Sequence, residues 1–148
     1  MAEIGFYHLT RSSADQALPA LLGRTLAAGQ RAVVRCGSAE RLAALDTALW
    51  LCPEPSWLPH GSAATGAADL QPIWLTTEDE APNNAAFLFL LDGCDSEQLD
   101  RFTRVFDLFD GNDEAATVAA RERWRAAKEA GHTLVYWQQT DRGWEKKA

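Results

Sequence analysis

Residues Ala85–Leu91, Ala-Ala-Phe-Leu-Phe-Leu-Leu, form an apolar run without the alternation of polar and apolar residues that marks a half-exposed strand. A strand of this kind is buried on both faces, as the central strands of parallel sheets are. The run is also far too short to cross a bilayer. It therefore predicts a central strand of a parallel sheet, which needs helices on both sides to cover it.

The segments before this run predict alternating strands and helices. Pro19 is tolerated only in the first turn of a helix, so the first helix should begin shortly before it. Gly29 is a suitable terminator, and Ser38 is a suitable N-cap for the second helix. Short connections between these elements favour a right-handed βαβ unit. The predicted elements are a strand at Glu3–Leu9, a helix at Ala14–Ala28, a strand at Arg31–Cys36 and a helix from Ser38 to about Leu51.

The segments around and after the run complete the predicted fold. They are a flexible connector at Gly61–Asp69, a strand at Leu70–Thr77, a helix at Ser96–Asp107, a turn at Leu108–Asn112, a helix at Asp113–Ala130 that ends at Gly131, and a strand at His132–Gln139. Trp144–Lys147 either pairs back onto the sheet or forms a loose tail. We therefore expect residues 1–148 to form one α/β domain with three layers, in which helices cover both faces of a mainly parallel sheet.

The stretch Leu49–His60, Leu-Trp-Leu-Cys-Pro-Glu-Pro-Ser-Trp-Leu-Pro-His, contains three prolines that end the second helix near Leu51. It should continue as a stiff loop that carries Trp57 and Leu58. Two interpretations remain open. The loop folds back and buries the rings of Trp50 and Trp57 in the protein's own core, or it presents them as a docking surface for another protein.

Composition narrows the class of protein. The chain has 148 residues and a formal net charge of −7, which argues against a general DNA-binding surface. Its basic residues are concentrated after residue 111. The three cysteines lack CxxC spacing, which argues against a disulfide framework and fits a reducing cytosol. The first residues lack the features of a signal peptide, so we expect a cytoplasmic protein without a membrane segment.

No motif predicts a cofactor, a metal or catalysis. The chain lacks the phosphate-binding loop of nucleoside triphosphatases, and the Leu9–Ser13 turn has no glycine, so the dinucleotide fingerprint is absent as well. The acidic segment Asp107–Glu114 does not match the spacing of a calcium loop. The three histidines, His8, His60 and His132, stand apart from other metal-ligating residues.

The last predicted helix carries a basic stripe. Arg121, Arg125 and Lys128 follow one another at spacings that place them on one face, and Trp124 lies on an adjoining stripe. Two interpretations are again open. The stripe is a solvated face whose arginine stems cover the tryptophan, or it is a cation-rimmed apolar notch that binds an acidic peptide.

Several stretches, in order along nearly the whole chain, resemble the chi subunit family of bacterial DNA polymerase III holoenzyme. They are Phe6-Tyr7-His8-Leu9, Arg41-Leu42 with Leu45-Asp46 and Ala48-Leu49-Trp50, Ser56-Trp57-Leu58-Pro59-His60, Gln71-Pro72-Ile73, Ala120-Arg121-Glu122-Arg123-Trp124, and Tyr136-Trp137-Gln138. The resemblance implies an accessory subunit without catalysis of its own. It also implies a fold similar to nucleotide-binding domains that binds no nucleotide.

In this family the subunit links the clamp loader, through the small psi subunit, to the acidic C-terminal tail of single-strand DNA-binding protein. The resemblance assigns the psi contact to the end of the second helix and the loop after it, at Trp50, Pro53, Trp57, Leu58 and Pro59. It assigns the tail contact to the last helix, at Arg121 with its neighbours Trp124, Arg125 and Lys128. Thr117 stands where relatives carry a basic residue, one turn before Arg121. No direct, specific contact with nucleic acid is implied.

The alternative from another class is a small hydrolase or transferase on the same sheet, with Cys36 or His8 at a strand end as the reactive group. A site for phosphate, sulfate or a metal at the carboxyl edge of the sheet would favour it. Direct nucleic-acid binding is a third alternative, which the acidic pI of about 4.9 disfavours.

Overall fold

The computed structural model describes residues 2–53 and 58–148. Within these residues the strands are β1 (Glu3–Leu9), β2 (Ala32–Arg35), β3 (Gly61–Ser62), β4 (Ile73–Thr76), β5 (Phe87–Leu90), β6 (Arg104–Asp110), β7 (Thr133–Thr140) and β8 (Gly143–Lys146). The helices are α1 (Ala14–Ala27), α2 (Ala39–Leu51) and α3 (Glu114–Glu129). None of these helices is long and apolar enough to span a membrane.

The eight described strands form a single sheet with the order β3-β4-β2-β5-β6-β1-β7-β8. Neighbouring strands are parallel except for β7 and β8, which are antiparallel. Strand β5 comes from the apolar run and lies between β2 and β6, with every residue buried. The prediction of a mainly parallel sheet with this run near its centre is confirmed.

The helices cover both faces of the sheet. On one face, Leu18 of α1 and Leu45 of α2 are fully buried in the same apolar cluster as Val34 of β2. On the other face, Ala120 of α3 lies in a second cluster with Val33. Adjacent residues of β2 thus point to opposite faces, as the pleat of a strand requires. The predicted three-layer α/β architecture is confirmed.

The prediction of a helix at Ser96–Asp107 is wrong. The structure has a short 3-10 turn at Leu99–Arg101 followed by strand β6, which extends into the predicted turn at Leu108–Asn112. Strand β6 lies between β5 and β1, and its residues from Val105 to Phe109 are buried. An apolar run that is buried on both faces has no periodicity that distinguishes a strand from a helix. The sequence of this segment was therefore compatible with either element.

Differences elsewhere are smaller. Pro19 was predicted to lie in the first turn of α1. The helix begins at Ala14, directly after the N-cap Ser13, so Pro19 lies in its second turn. Gly29 has a φ of +74° and ends this helix as expected. The connector at Gly61–Asp69 contains the short strand β3, which no sequence pattern indicated.

The sequence left open whether Trp144–Lys147 pairs with the sheet or forms a loose tail. In the structure this segment pairs with the sheet. Strand β8 runs antiparallel to β7, with Trp144 opposite Gln139. The indole ring of Trp144 lies 5.1 Å from the ring of Tyr7 and is nearly perpendicular to it. Strand β8 therefore adds an aromatic contact to the core beneath α1.

The loop after β1 is fixed by one side chain from β7. The Oε1 atom of Gln139 accepts hydrogen bonds from the backbone N–H groups of Thr10, Arg11 and Ser12, at 3.2, 2.8 and 3.0 Å. Its Nε2 atom donates to Ser12 Oγ at 2.8 Å. Successive N–H groups that converge on one point form an anion-binding cradle in many proteins. In this chain an amide oxygen takes the place of the anion.

Within the sheet, strand β6 contains a buried charge. The carboxylate of Asp107 accepts hydrogen bonds from Nε and Nη2 of Arg123, at 2.7 and 3.0 Å. Only 4% of the Asp107 side chain and 12% of the Arg123 side chain are exposed. This bidentate ion pair connects α3 to the central strand β6.

We expect Gln139→Leu to lower the free energy of unfolding by about 1–3 kcal/mol, because it leaves several N–H groups of the loop without an acceptor. Gln139→Glu is the matched control. It keeps an oxygen at the same position and should stay within about 1 kcal/mol of the wild type. Urea denaturation measures both values. If both variants lower the free energy of unfolding equally, the acceptor oxygen of Gln139 does not stabilise the loop.

We expect Asp107→Leu or Arg123→Met alone to lower the free energy of unfolding by about 3–5 kcal/mol, because each leaves a buried charge without its partner. The double variant should lose much less than the sum, since no charge is left behind. A double-mutant cycle from denaturation curves measures this coupling. Additive losses would contradict an energetically coupled pair.

Candidate functional site

A crevice opens at the carboxyl edge of the sheet. Strands β1 and β6 are neighbours, but β1 leads into α1 on one face and β6 leads into α3 on the other. Ligands of α/β proteins bind at such switch points. The crevice has a volume of about 820 Å³ and is lined mainly by the loops after these two strands, the first turns of α3, Arg41 and Asp92.

The cationic groups around this crevice already have partners within the chain. Arg41 contacts Asp15 at 2.5 Å and Asp92 at 3.0 Å. Arg123 is held by Asp107, and the N–H groups of the loop after β1 are taken up by Gln139. The groups that would bind a phosphate are therefore neutralised internally, which disfavours the interpretation as a nucleotide- or phosphate-dependent enzyme.

The two reactive groups considered from the sequence, Cys36 and His8, are not brought together. Burial is the main reason that the pKa of the Cys36 thiol is raised to about 12, so the nucleophilic thiolate is scarce near neutral pH. Strands β1 and β2 are separated by β5 and β6, a distance of roughly 14 Å at ordinary strand spacing. Among the described residues, no group of three or more His, Cys, Asp or Glu side chains could hold a metal ion.

The end of α2 exposes large apolar side chains. Trp50 is 58% exposed and Leu51 is 76% exposed, and Pro53, just beyond the helix, is exposed as well. We call Trp50, Leu51 and Pro53 the helix-end surface. It combines an aromatic ring, an aliphatic side chain and a proline, which is a composition typical of protein–protein contacts.

The Trp50 ring rests on a fixed support. Its centroid lies 4.3 Å from that of His60. The His60 side chain is fully buried, with Nε2 3.1 Å from the Asp46 carboxylate and Nδ1 2.6 Å from the Leu58 carbonyl oxygen. The hydrogen bond at Nδ1 fixes the buried ring, and Trp50 is presented on this base without being buried.

The structure corrects the expectation for one residue of the proline-rich loop. Leu58 is only 4% exposed and packs in the core on the α1–α2 face, so it anchors the end of the loop instead of being displayed. Pro59 is partly buried. Trp57, the other tryptophan predicted to take part in docking, lies outside the described residues.

The predicted basic stripe lies on the outer side of α3. Arg121, Arg125 and Lys128 are exposed, and we call them the basic surface. Arg125 is 3.5 Å from Glu122 in an exposed pair, which offsets part of its charge. Thr117, one turn before Arg121, donates its hydroxyl hydrogen to the Asp113 carbonyl oxygen at 3.0 Å.

Trp124 does not stand free beside the basic surface. Its ring packs edge-on against Phe6 at 5.3 Å and against Tyr136 at 5.8 Å, and the side chain is partly buried. Val118 is 49% exposed on the outer side of the same helix. Trp124 thus mainly fixes α3 to the sheet, and only part of its surface remains available next to Arg121.

The contact between His8 and Tyr136, near the basic surface, was not predicted. Tyr136 Oη lies 2.5 Å from Nδ1 of His8, and both side chains lie within reach of the Arg121 charge. Burial is the larger cause of the pKa shift in each case: it lowers the pKa of His8 and raises the pKa of Tyr136. The two side chains meet because β1 pairs with β7, and no local sequence pattern indicates this pairing of the two ends of the chain.

Comparisons with known proteins agree with the resemblance. The family model described as DNA polymerase III chi subunit, HolC, matches residues 1–135. DNA polymerase III subunit chi of Escherichia coli K12 is 26% identical over 126 residues, which cover 83% of this chain and 84% of that protein. The probable DNA polymerase III subunit chi of Rickettsia prowazekii is 25% identical over 109 residues, which cover 72% of this chain and 66% of that protein. This chain therefore belongs to the DNA polymerase III chi subunit family and is an accessory subunit of that replication complex, not an enzyme by itself.

Proposed function

We propose that residues 1–148 act as a single cytoplasmic domain that bridges a psi-like subunit of the clamp loader and the acidic C-terminal tail of single-strand DNA-binding protein. One observation carries the proposal. The helix-end surface belongs to α2, which covers one face of the sheet, and the basic surface belongs to α3, which covers the other. Two partners that bind on opposite faces do not compete for space.

The clamp-loader contact is assigned to the helix-end surface because this surface has the chemistry of a protein interface. Trp50 and Leu51 together offer exposed apolar area that is costly to leave in water. The support from His60 means that little side-chain freedom is lost when a partner binds. We therefore assign this surface to the psi-like subunit, which would need an apolar groove to receive it.

The tail contact is assigned to the basic surface because of its charge. The whole chain carries a formal net charge of −7, so most of its surface repels an acidic peptide. The exposed stripe of Arg121, Arg125 and Lys128 is a local exception. Arg121 provides the planar fork that binds a carboxylate through two hydrogen bonds, and Lys128 adds a second charge about two turns away.

We expect Trp50→Ala to weaken capture of the psi-like subunit by about 30-fold or more, as for an interface hot spot worth at least about 2 kcal/mol. Leu70→Ala is the control, because Leu70 is 71% exposed and lies outside both surfaces. Biolayer interferometry with purified clamp-loader subunits measures the affinities, and circular dichroism checks folding. Equal affinity of a folded Trp50→Ala variant and the wild type would remove the helix-end surface from the proposal.

We expect Arg121→Ala to weaken binding of the acidic tail peptide by about ten- to a hundredfold, the loss of a charge-assisted contact worth about 1.5–3 kcal/mol. Arg125→Ala should lose less, because Glu122 already offsets its charge. Added salt should weaken binding by the wild type. Isothermal titration calorimetry with a synthetic tail peptide measures these affinities.

Arg24→Ala is the matched control for charge, because Arg24 is an exposed arginine on α1, on the opposite face of the sheet. It should bind the peptide as the wild type does. If Arg121→Ala and Arg24→Ala have the same small effect, the peptide binds elsewhere and the tail contact at α3 is wrong.

A further inference from the structure

His8 and Tyr136 form a close polar pair beneath α3. They lie on β1 and β7, which are neighbouring parallel strands, and Nδ1 of His8 is 2.5 Å from Tyr136 Oη. The imidazole also has a hydrogen bond to the backbone of Gly111. A Cβ atom at position 111 would overlap the His8 ring, so only glycine allows this approach. The His8 ring is therefore held on both sides, with one nitrogen on a backbone group and the other on a hydroxyl.

Arg121 is the charge that acts on this pair from α3. Trp124, which follows Arg121 by three residues on this helix, is in ring contact with Tyr136 at 5.8 Å. Burial lowers the pKa of His8 and the Arg121 charge adds to this, whereas burial raises the pKa of Tyr136 and the same charge offsets only part of the rise. Most charged groups on the neighbouring parts of α3, β6 and the β7–β8 hairpin have partners within the chain. They are Arg123 with Asp107, Lys147 with Glu145, and Asp110 and Asp113 with backbone N–H groups after β6. Lys128 on α3 is exposed.

The hydrogen atom of the Tyr136 hydroxyl has two alternative acceptors. When His8 is neutral and its proton is on the nitrogen that faces Gly111, Nδ1 can only accept, so the hydroxyl must donate to it. When His8 is protonated, Nδ1 donates to Tyr136 Oη and the hydroxyl hydrogen becomes available to a new acceptor. A carboxylate held by Arg121 would be such an acceptor. The protonation state of His8 thus decides whether Tyr136 can donate to a ligand.

We propose that the His8–Tyr136 pair forms part of the anion site at Arg121, and that an acidic peptide binds there together with the uptake of one proton by His8. This inference rests on the proposed tail contact at α3 and adds a regulatory property to it. Its ligand class is a peptide carboxylate. Tyr136 is the additional donor to the peptide, and His8 acts through Tyr136 as a positioning residue.

The direction of the pH effect follows from the charges. In the free protein, burial and the Arg121 charge lower the pKa of His8. A bound carboxylate offsets the charge of Arg121 and accepts from Tyr136, so it raises the pKa of His8. Peptide affinity should therefore increase as the pH falls from above the pKa of the bound state to below that of the free state. Each unit of difference between the two pKa values corresponds to about a tenfold change in affinity.

The first test is calorimetry with the acidic tail peptide at pH 7.5, 6.5 and 5.5, a range in which the peptide carboxylates stay ionised. We expect the affinity of the wild type to rise by about three- to tenfold from the highest to the lowest of these values. His8→Gln keeps a polar side chain that does not titrate and should remove most of this increase. Tyr136→Phe removes the hydroxyl and should reduce both the increase and the affinity at pH 5.5.

The second test measures the protonation of the histidine rings of the wild-type protein by NMR, with and without saturating peptide. The pKa of His8 should rise when the peptide is bound. The ring resonances of His60, which packs against Trp50 of α2, serve as an internal control for nonspecific effects of the peptide. This measurement needs no substitution, so it decides the question even if His8→Gln or Tyr136→Phe fails to fold.

The outcomes separate this inference from the proposed function. Binding that depends on Arg121 but leaves the pKa of His8 unchanged, or that has the same pH dependence in His8→Gln, overturns the proton coupling alone. If the peptide does not bind at any of these pH values, or binds independently of Arg121, the tail contact at α3 is wrong and the coupling is overturned with it.

Discussion

The fold depends on the insertion of β1 between β6 and β7. Its seven residues pair with Arg104–Asp110 on one side, and six of them pair with Thr133–Gln138 on the other. The strand that begins the chain is thus held by segments that follow it by roughly a hundred residues. Because such contacts close long loops, the centre of the sheet forms only when the last third of the chain is present.

This insertion also determines which side chains meet at the two ends of the chain. Tyr7 contacts Trp137 and Trp144 on the α1 face, and Phe6 meets Trp124 on the α3 face. The same strand pairing brings the loop after β1 against β7 and brings His8 against Tyr136. Features that are separate in the sequence therefore share one structural cause.

Local patterns were sufficient for most elements but not for these contacts. Strand β1, the N-cap Ser38 and the terminators Gly29 and Gly131 are visible in short windows, because capping and chain reversal are local chemistry. Strand β6 was misread because burial on both faces removes periodicity. Leu58 was expected at the surface because its proline neighbours stiffen the loop, but stiffness does not determine which way a side chain points. The basic stripe on α3 was predictable from residue spacing, whereas the position of Tyr136 beside it depends on strand order, which a single sequence does not reveal.

The hydrogen bonds from the loop after β1 to Gln139 limit which new ligands this fold could acquire by substitution. New glycines in the Thr10–Ser13 turn would not create a phosphate site while the Gln139 side chain still accepts hydrogen bonds from the backbone N–H groups of this turn. Loss of Gln139 alone would leave a turn without the glycines that let a phosphate approach the backbone closely. The turn would therefore need both kinds of change, new glycines and the loss of Gln139, before it could bind the phosphate of a nucleotide.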